Sequence, residues 1–291
     1  PTAEERVAST LEINTDTHPG AMSISSDVPV VDAEPIPELT ELHMHRPDYT
    51  FLDCRQAGGE EPGSDEVTVC EDPNAPENPT ARVVVAAGSH AGHWEATVRS
   101  VGQAYNWEVL VAVKSGCILL DSDDPDQTMC QGWNENFIDW VGTNDIDLVI
   151  TSGTRVFSNG ERLGKGAETR WEQITDQGAE LLLIRGTPRP RDGGAKCLQD
   201  ERPSEECGVR AGDVAAPNPL LDMDLPEGTQ TIDLNPYICP TLDQGEDAWC
   251  PAEVGNVYVW YDGSHLSREY AATLAPSFEQ EMREVFPEYF D

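Results

Sequence analysis

The stretch Arg82-Val83-Val84-Val85-Ala86-Ala87-Gly88-Ser89-His90 limits what this chain can fold into more than any other. Val83 to Ala86 form an apolar run too short for a helix and rich in β-branched residues, the pattern of a buried strand. Two small residues follow, Ala87 and Gly88, and then a hydroxyl, Ser89. Beyond it Trp94, Val98, Val101 and Tyr105 recur at helical spacing. A strand therefore stops, the backbone turns at Gly88, and a helix starts at or just after Ser89. A serine so placed sits at the carboxyl edge of a sheet, beside free backbone N–H groups that can bind a developing oxyanion. The same serine is also a favoured helix N-cap. A nucleophile at this position needs a base from elsewhere in the chain.

The remainder repeats the alternation. Strands are predicted at 107–113, 147–151, 180–184 and 257–260, and helices at 133–141, 167–177, 266–274 and 277–285, with Asn106 ending the first helix and Pro276 the fourth. Strands alternating with helices imply an α/β fold: a parallel sheet covered on both faces, with ligands beyond the carboxyl ends of its strands. Ser89, Gly116, Thr151 to Thr154 and Asp262 to His265 all fall just past predicted strand ends. Residues 1–50, rich in Pro, Asp, Glu and Thr, read as an extended linker or extension, with a helix possible near its start. Residues 51–80 read as a disulfide-stapled segment and residues 81–291 as the catalytic domain. The chain begins at Pro1, and a processed piece of a longer protein is expected. No apolar run approaches the ~20 residues that span a bilayer, and no signal peptide is read within it.

Charge narrows the function. There are 18 Lys plus Arg against 54 Asp plus Glu, a net charge of −36. Such a surface repels phosphate backbones and anionic lipid. Nucleic-acid binding is not expected, and a neutral substrate such as a sugar hydroxyl or an ester is. The alternative reading is that the acidity serves solubility alone. Eight cysteines fall as successive local pairs: Cys54 with Cys70, Cys117 with Cys130, Cys197 with Cys207 and Cys239 with Cys250. No CxxC pair exists, which disfavours a zinc ribbon or a thioredoxin-like site. Eight cysteines allow many connectivities, but sequential pairing closes the shortest loops at least entropic cost. Four sequential disulfides are predicted, which place the domain outside the cytoplasm.

The base is found near the end. The segment Tyr261-Asp262-Gly263-Ser264-His265-Leu266-Ser267 carries an Asp three residues before a His, in a loop facing the same edge as Ser89. His265 can take the Ser89 proton, and Asp262 can hold the imidazole tautomer and stabilise its charged form. Singly, His265 reads as a polar loop residue and Asp262 as a turn former; with Ser89 they form a triad.

These residues resemble the SGNH hydrolase and O-acyltransferase superfamily. Gly88-Ser-His-Ala-x-x-Trp94, Lys114-Ser-Gly-Cys117, Trp133-Asn134 and Asp262-x-x-His-Leu-Ser267 are most similar to the extracytoplasmic SGNH domain fused to multi-span membrane acyltransferases. The resemblance implies a flavodoxin-like three-layer α/β/α sandwich. It implies a serine-dependent O-acyltransferase that moves an acyl group, usually acetyl, through Ser89 to hydroxyls of a cell-envelope glycan or glycolipid. The acyl donor would come from an upstream membrane domain, with no cofactor in this one, and the domain would be a membrane-tethered monomer on the cell-surface or periplasmic side.

Two departures stand out. The family usually has Gly-Asp-Ser, whereas Gly88 precedes Ser89 here. The family's Asn oxyanion donor follows the third strand, whereas Gly142-Thr-Asn144-Asp145 precedes it. The expected donors are therefore the Ser89 N–H, Gly116, and a group at Thr151 or Ser152. An α/β-hydrolase is disfavoured, because its elbow wants Gly-x-Ser-x-Gly and here Ala87 and Ala91 flank the turn. A carbohydrate O-acetylesterase with the same triad and a non-catalytic binding module stay open as alternatives. His43 and His45 read as surface residues and His90 and His93 as helix-face packing in place of metal ligands. Arg185, Arg189 and Arg191 read as partners for this chain's own carboxylates, or as holders of an anionic acceptor. Trp94, Trp133, Trp140, Trp171 and Trp260 read as core.

Overall fold

Side chains alternate across a strand, and the first strand is buried on both faces. Val83 and Val85 join one hydrophobic cluster, Val84 and Ala86 another. The computed structural model describes residues 2–157 and 160–291, with Glu4 described by its backbone alone. In chain order, the elements that matter to the site are α1 (Ala3–Ala8), β1 (Ala81–Ala87), α2 (Ser89–Gly92), α3 (Glu95–Tyr105), β2 (Trp107–Val113) and α4 (Thr128–Thr143). They continue with β3 (Leu148–Ser152), α5 (Ala167–Thr175), β4 (Glu180–Ile184), β5 (Thr229–Ile232), α6 (Arg268–Thr273) and α7 (Ala275–Val285).

Among the described residues the main sheet has five strands in the order β2-β1-β3-β4-β5, with every neighbouring pair parallel. Val98, Val101 and Tyr105 of α3 and Phe278 and Met282 of α7 cover the face that presents Val83 and Val85. Trp133, Phe137 and Val141 of α4 and Trp171 and Ile174 of α5 cover the other. This is a three-layer α/β/α sandwich with a flavodoxin-like strand order. Its order reverses between β1 and β3, so connections leave the carboxyl ends of those strands in opposite directions and open a crevice there. Ser89 follows β1 directly.

The first helix is interrupted. It divides into α2 and α3 around His93 and Trp94, and Trp94 is buried at the break. Asn106 ends α3 in the left-handed conformation, φ 64, as expected of a C-cap. Pro276 sits in the first turn of α7 instead of ending α6. That suits a residue with no N–H to leave unsatisfied.

The fifth strand is not where the sequence pointed. Val257–Tyr258 pairs antiparallel with Glu253–Val254 in a two-residue ribbon outside the main sheet. Val257, Val259 and Trp260 are fully buried, but against the α3 and α7 layer's cluster. The edge position belongs to Thr229–Ile232, whose Gln230 is exposed. An edge strand of mostly polar residues has too little apolar run to be recognised.

Residues 2–52 cross the outside of the α3, α6 and α7 layer. Val7, Ala21, Leu42 and Tyr49 are buried anchors. The Ala21 N–H donates to the Thr273 hydroxyl at 2.9 Å and the Tyr49 N–H to the Glu95 carboxylate at 2.9 Å. No helix among the described residues is long and apolar enough to cross a membrane.

All eight cysteines are paired, Cys54–Cys70, Cys117–Cys130, Cys197–Cys207 and Cys239–Cys250. Four disulfides fit an oxidising, extracytoplasmic environment. Each closes a short loop and is expected to contribute roughly 2–4 kcal/mol. Peptide mapping of the unreduced protein should return these four sequential pairs, and alkylation before reduction should label no cysteine. A crossed pair or a titratable thiol would contradict the pairing.

Candidate active site

The turn out of β1 is strained and crowded. Ala87 has φ 86, a region costly for any residue with a side chain, at about 1–3 kcal/mol. It is held there by its burial and by the Lys114 N–H, which donates to its carbonyl at 3.0 Å. Gly88 returns to extended backbone, φ −79 and ψ 172. A Cβ on Gly88 would lie 2.9 Å from the Cys117 carbonyl and 3.2 Å from the Ile118 side chain. The loop after β2 thus fills the space an aspartate would need, which gives this departure from the family pattern a steric cause. Asn134 holds the same loop, donating from Nδ2 to the Ile118 carbonyl at 2.9 Å and the Leu120 carbonyl at 3.2 Å.

The structure brings Ser89, His265 and Asp262 together. Ser89 Oγ lies 2.9 Å from His265 Nε2, and His265 Nδ1 lies 2.9 Å from Asp262 Oδ2. Asp262 Oδ1 also accepts the backbone N–H groups of Ser264 and His265, both at 2.8 Å. Burial disfavours the Asp262 charge. The hydrogen bond and charge of His265 and the two backbone donors outweigh that, so its pKa falls below the usual carboxylate value. An ionised carboxylate only accepts, so Nδ1 carries the imidazole proton and Nε2 is left to accept from the serine hydroxyl.

The loop carrying these residues is tight, and no main-sheet strand leads into it. Trp260 and Leu266 form an isolated bridge, and the Tyr261 N–H donates to the His265 carbonyl at 3.1 Å. Placing Asp262 and His265 past a strand of the central sheet was therefore the wrong route to the right edge.

Two further histidines surround His265. The His90 ring stacks on it with centroids 4.2 Å apart. Burial above all, then the charge of a protonated His265, pushes His90 down to about 3. It stays neutral and adds no charge beside the base. His93 is fully buried, which pushes its pKa well down, and its Nδ1 accepts the Leu266 N–H at 3.4 Å. It positions the loop that carries His265, a role the sequence reading did not assign. Among the described residues no group of three His, Cys, Asp or Glu could hold a metal ion. His43 is exposed, and His45 pairs with Glu269 at 2.7 Å.

Beside Ser89 lies a cleft of about 60 Å³ whose lining includes Gly116, Thr151, Ser152, Gly186 and Thr187. Ser152 Oγ, Thr187 Oγ1 and His90 Nε2 are buried with no hydrogen-bond partner. Buried polar groups are rarely left so, and three around one small cleft fit a polar ligand there. The Thr151 hydroxyl is committed to the Ala86 carbonyl at 2.9 Å, so of the two neighbouring hydroxyls only Ser152's is free to donate to an oxyanion. Thr187 escaped the sequence reading because the segment after β4 was read only for its arginines. Asn144 lies at the far end of the sheet, where its carbonyl accepts from Arg82 at the start of β1.

The three arginines after β4 separate. Arg185 is buried between Glu161, 2.7 Å away, and Asp233, 2.8 Å away. Arg189 and Arg191 are exposed. Trp94, Trp133, Trp171 and Trp260 are buried, as core residues should be, while Trp140 is half-buried.

A family described as "SGNH domain (fused to AT3 domains)" matches residues 53–280. No curated protein matches the chain.

The crowding at Gly88 is directly testable. Gly88→Ala should destabilise the domain by about 1–3 kcal/mol, the usual cost of overpacking, read by urea unfolding. Unchanged stability would mean that the Cys117 loop does not press on the turn.

Proposed function

This chain belongs to the SGNH domain family, in the branch fused to AT3 domains, and from that premise we propose that it is an extracytoplasmic serine O-acyltransferase. It moves a short acyl group to the hydroxyl of a cell-envelope glycan or glycolipid. The observation that carries this reading is the 2.9 Å contact between Ser89 Oγ and His265 Nε2, backed by Asp262.

In the first half-reaction Ser89 Oγ attacks the carbonyl carbon of the acyl donor as its proton passes to His265 Nε2. The charge that develops on the imidazole is balanced by Asp262, and the carbonyl oxygen becomes an oxyanion. The Ser89 N–H, Gly116 on its exposed turn and the Ser152 hydroxyl are the donors for that oxyanion. The tetrahedral intermediate collapses, the donor's leaving oxygen takes the proton from His265, and Ser89 is left as an ester. In the second half-reaction His265 takes the proton of an acceptor hydroxyl, which attacks the ester, and Ser89 recovers its proton as the product leaves.

The cleft beside Ser89 is small, about 60 Å³, which supports a short acyl group such as acetyl. The family's fusion to AT3 domains supports a membrane domain as the source of the acyl group, and with it a membrane-tethered domain outside the cytoplasm. The chain's own side chains supply a complete nucleophile, base and orienting carboxylate, so no cofactor is assigned a role.

The distinguishing experiment compares acetyl transfer to glycan hydroxyls with hydrolysis of a small aryl acetate. Transfer should exceed hydrolysis when acceptor is present. Dominant hydrolysis under those conditions would make the domain an esterase. Ser89→Ala and His265→Ala should each lower turnover by roughly a thousandfold or more while the thermal transition stays near that of the parent. Retained turnover in either would move the chemistry to other residues.

A further inference from the structure

A larger groove of about 850 Å³ adjoins the small cleft, and Val156 and Arg189 line both. The groove also reaches Gly263, which follows Asp262 in the chain. Four arginines line it, Arg162, Arg189, Arg191 and Arg210, and Arg155 stands at the cleft beside them. For a chain with 54 carboxylates and 18 basic residues this is a marked concentration. Several arginines outside the groove pair with acids: Arg82 with Glu108, Arg99 with Asp72, Arg268 with Asp48 and Arg283 with Glu279. Among the described residues Arg155, Arg189 and Arg191 make no salt bridge; Arg210 donates from Nη1 to the Asp247 carbonyl at 2.6 Å, and its one acidic neighbour is the exposed Asp247 carboxylate at 3.9 Å.

Aromatic rings contact several of the arginines at this groove. Arg191 and Arg210 lie over Trp249, 4.6 Å and 4.3 Å from the ring centre. Arg155 and Arg162 lie over Phe157 at 5.0 Å and 4.5 Å. A guanidinium on a ring face keeps its N–H fork directed outward at little entropic cost, ready for bidentate contact with a carboxylate or phosphate. The groove's own acids are mostly engaged: Glu161 pairs with Arg185 at 2.7 Å and Asp192 with Arg202 at 2.6 Å, leaving exposed Asp213.

We propose that this groove is the acceptor subsite and that it takes an anionic glycan, one carrying carboxylate or phosphate groups, with a neighbouring hydroxyl presented to Ser89. The substrate class rests on the acyl-transfer reading above. It reverses the expectation from net charge alone, because a global negative field is screened within about 10 Å in salt whereas the arginine cluster meets its ligand in direct contact. The groove's volume lies within the usual range for ligand sites, and its continuity with the cleft gives the bound chain a path to the serine.

The test uses the Ser89→Ala domain, so that binding is read without acyl chemistry. Calorimetric titrations would compare an oligogalacturonate, its carboxyl-reduced neutral counterpart of equal length, and a glycerol-phosphate oligomer. At least one charged oligomer should bind about tenfold or more tightly than the neutral one, and should weaken as salt rises from about 0.05 M to about 0.5 M. The preference between the two charged oligomers identifies the anion. Arg191→Gln with Arg210→Gln should cost about tenfold or more in binding at an unchanged melting temperature. If that pair unfolds the domain, Arg189→Gln, which has no ring contact to lose, carries the same expectation. Equal binding of charged and neutral oligomers, binding of none, or full binding by the arginine variants would overturn the proposal. Failure of Ser89 to become acylated in the parent protein would instead strike the acyl-transfer reading and leave these titrations interpretable.

Discussion

A hydroxyl and an imidazole 176 residues apart in sequence are held 2.9 Å apart, and the architecture around them serves that contact. On one side the parallel sheet ends β1 at the point where strand order reverses, which exposes Ser89 at the rim of a crevice. On the other, a short loop carries His265, fixed by Asp262 through two backbone N–H groups and the imidazole itself. Neither partner is placed by local sequence alone. The serine needs β1 packed on both faces, and the histidine needs its loop seated against His93 and the buried Trp260 and Leu266. Damage to either layer therefore reaches the site.

Strain and crowding collect at the same turn. Ala87 is in an unfavourable backbone region, and Gly88 lies against main chain from the loop beyond β2. That loop is tied in turn by the Cys117–Cys130 disulfide and by Asn134. The covalent staple and the buried amide keep the wall of the cleft fixed in a region with little regular structure, so preorganisation of the serine depends on residues some way along the chain from it.

Much of this was legible from residue patterns, for physical reasons. Val83 to Ala86 and Glu180 to Ile184 are runs too apolar to be anything but buried strands, and the cysteine spacing favoured local pairs because short loops close cheaply. Ser89 stood out because it followed two small residues at the end of a strand, and Asp262 and His265 because an Asp lay three residues before a His past a predicted strand end. What escaped depended on tertiary context. Thr229 to Ile232 is an edge strand whose polar residues carry no period. Val257 to Trp260 is as apolar as a sheet strand, but packs beneath a helical layer instead. Thr187 and Ser152 gain meaning only from burial without a partner, and the arginine groove only from the folding together of segments around residues 155–157, 160–162, 189–191, 210 and 249. Net charge, summed over the whole surface, pointed away from an anionic ligand that a local cluster favours.

In the proposed reaction Ser89 carries the acyl group between donor and acceptor. Rapid acid quenching of the domain during turnover of an activated acetyl ester, followed by mass spectrometry of its peptides, reads that species directly. One added acetyl group is expected on the peptide containing Ser89, accumulating before steady state and disappearing faster when a glycan acceptor is supplied. An unmodified Ser89 peptide during active turnover, or an acetyl group on a different residue, would contradict it.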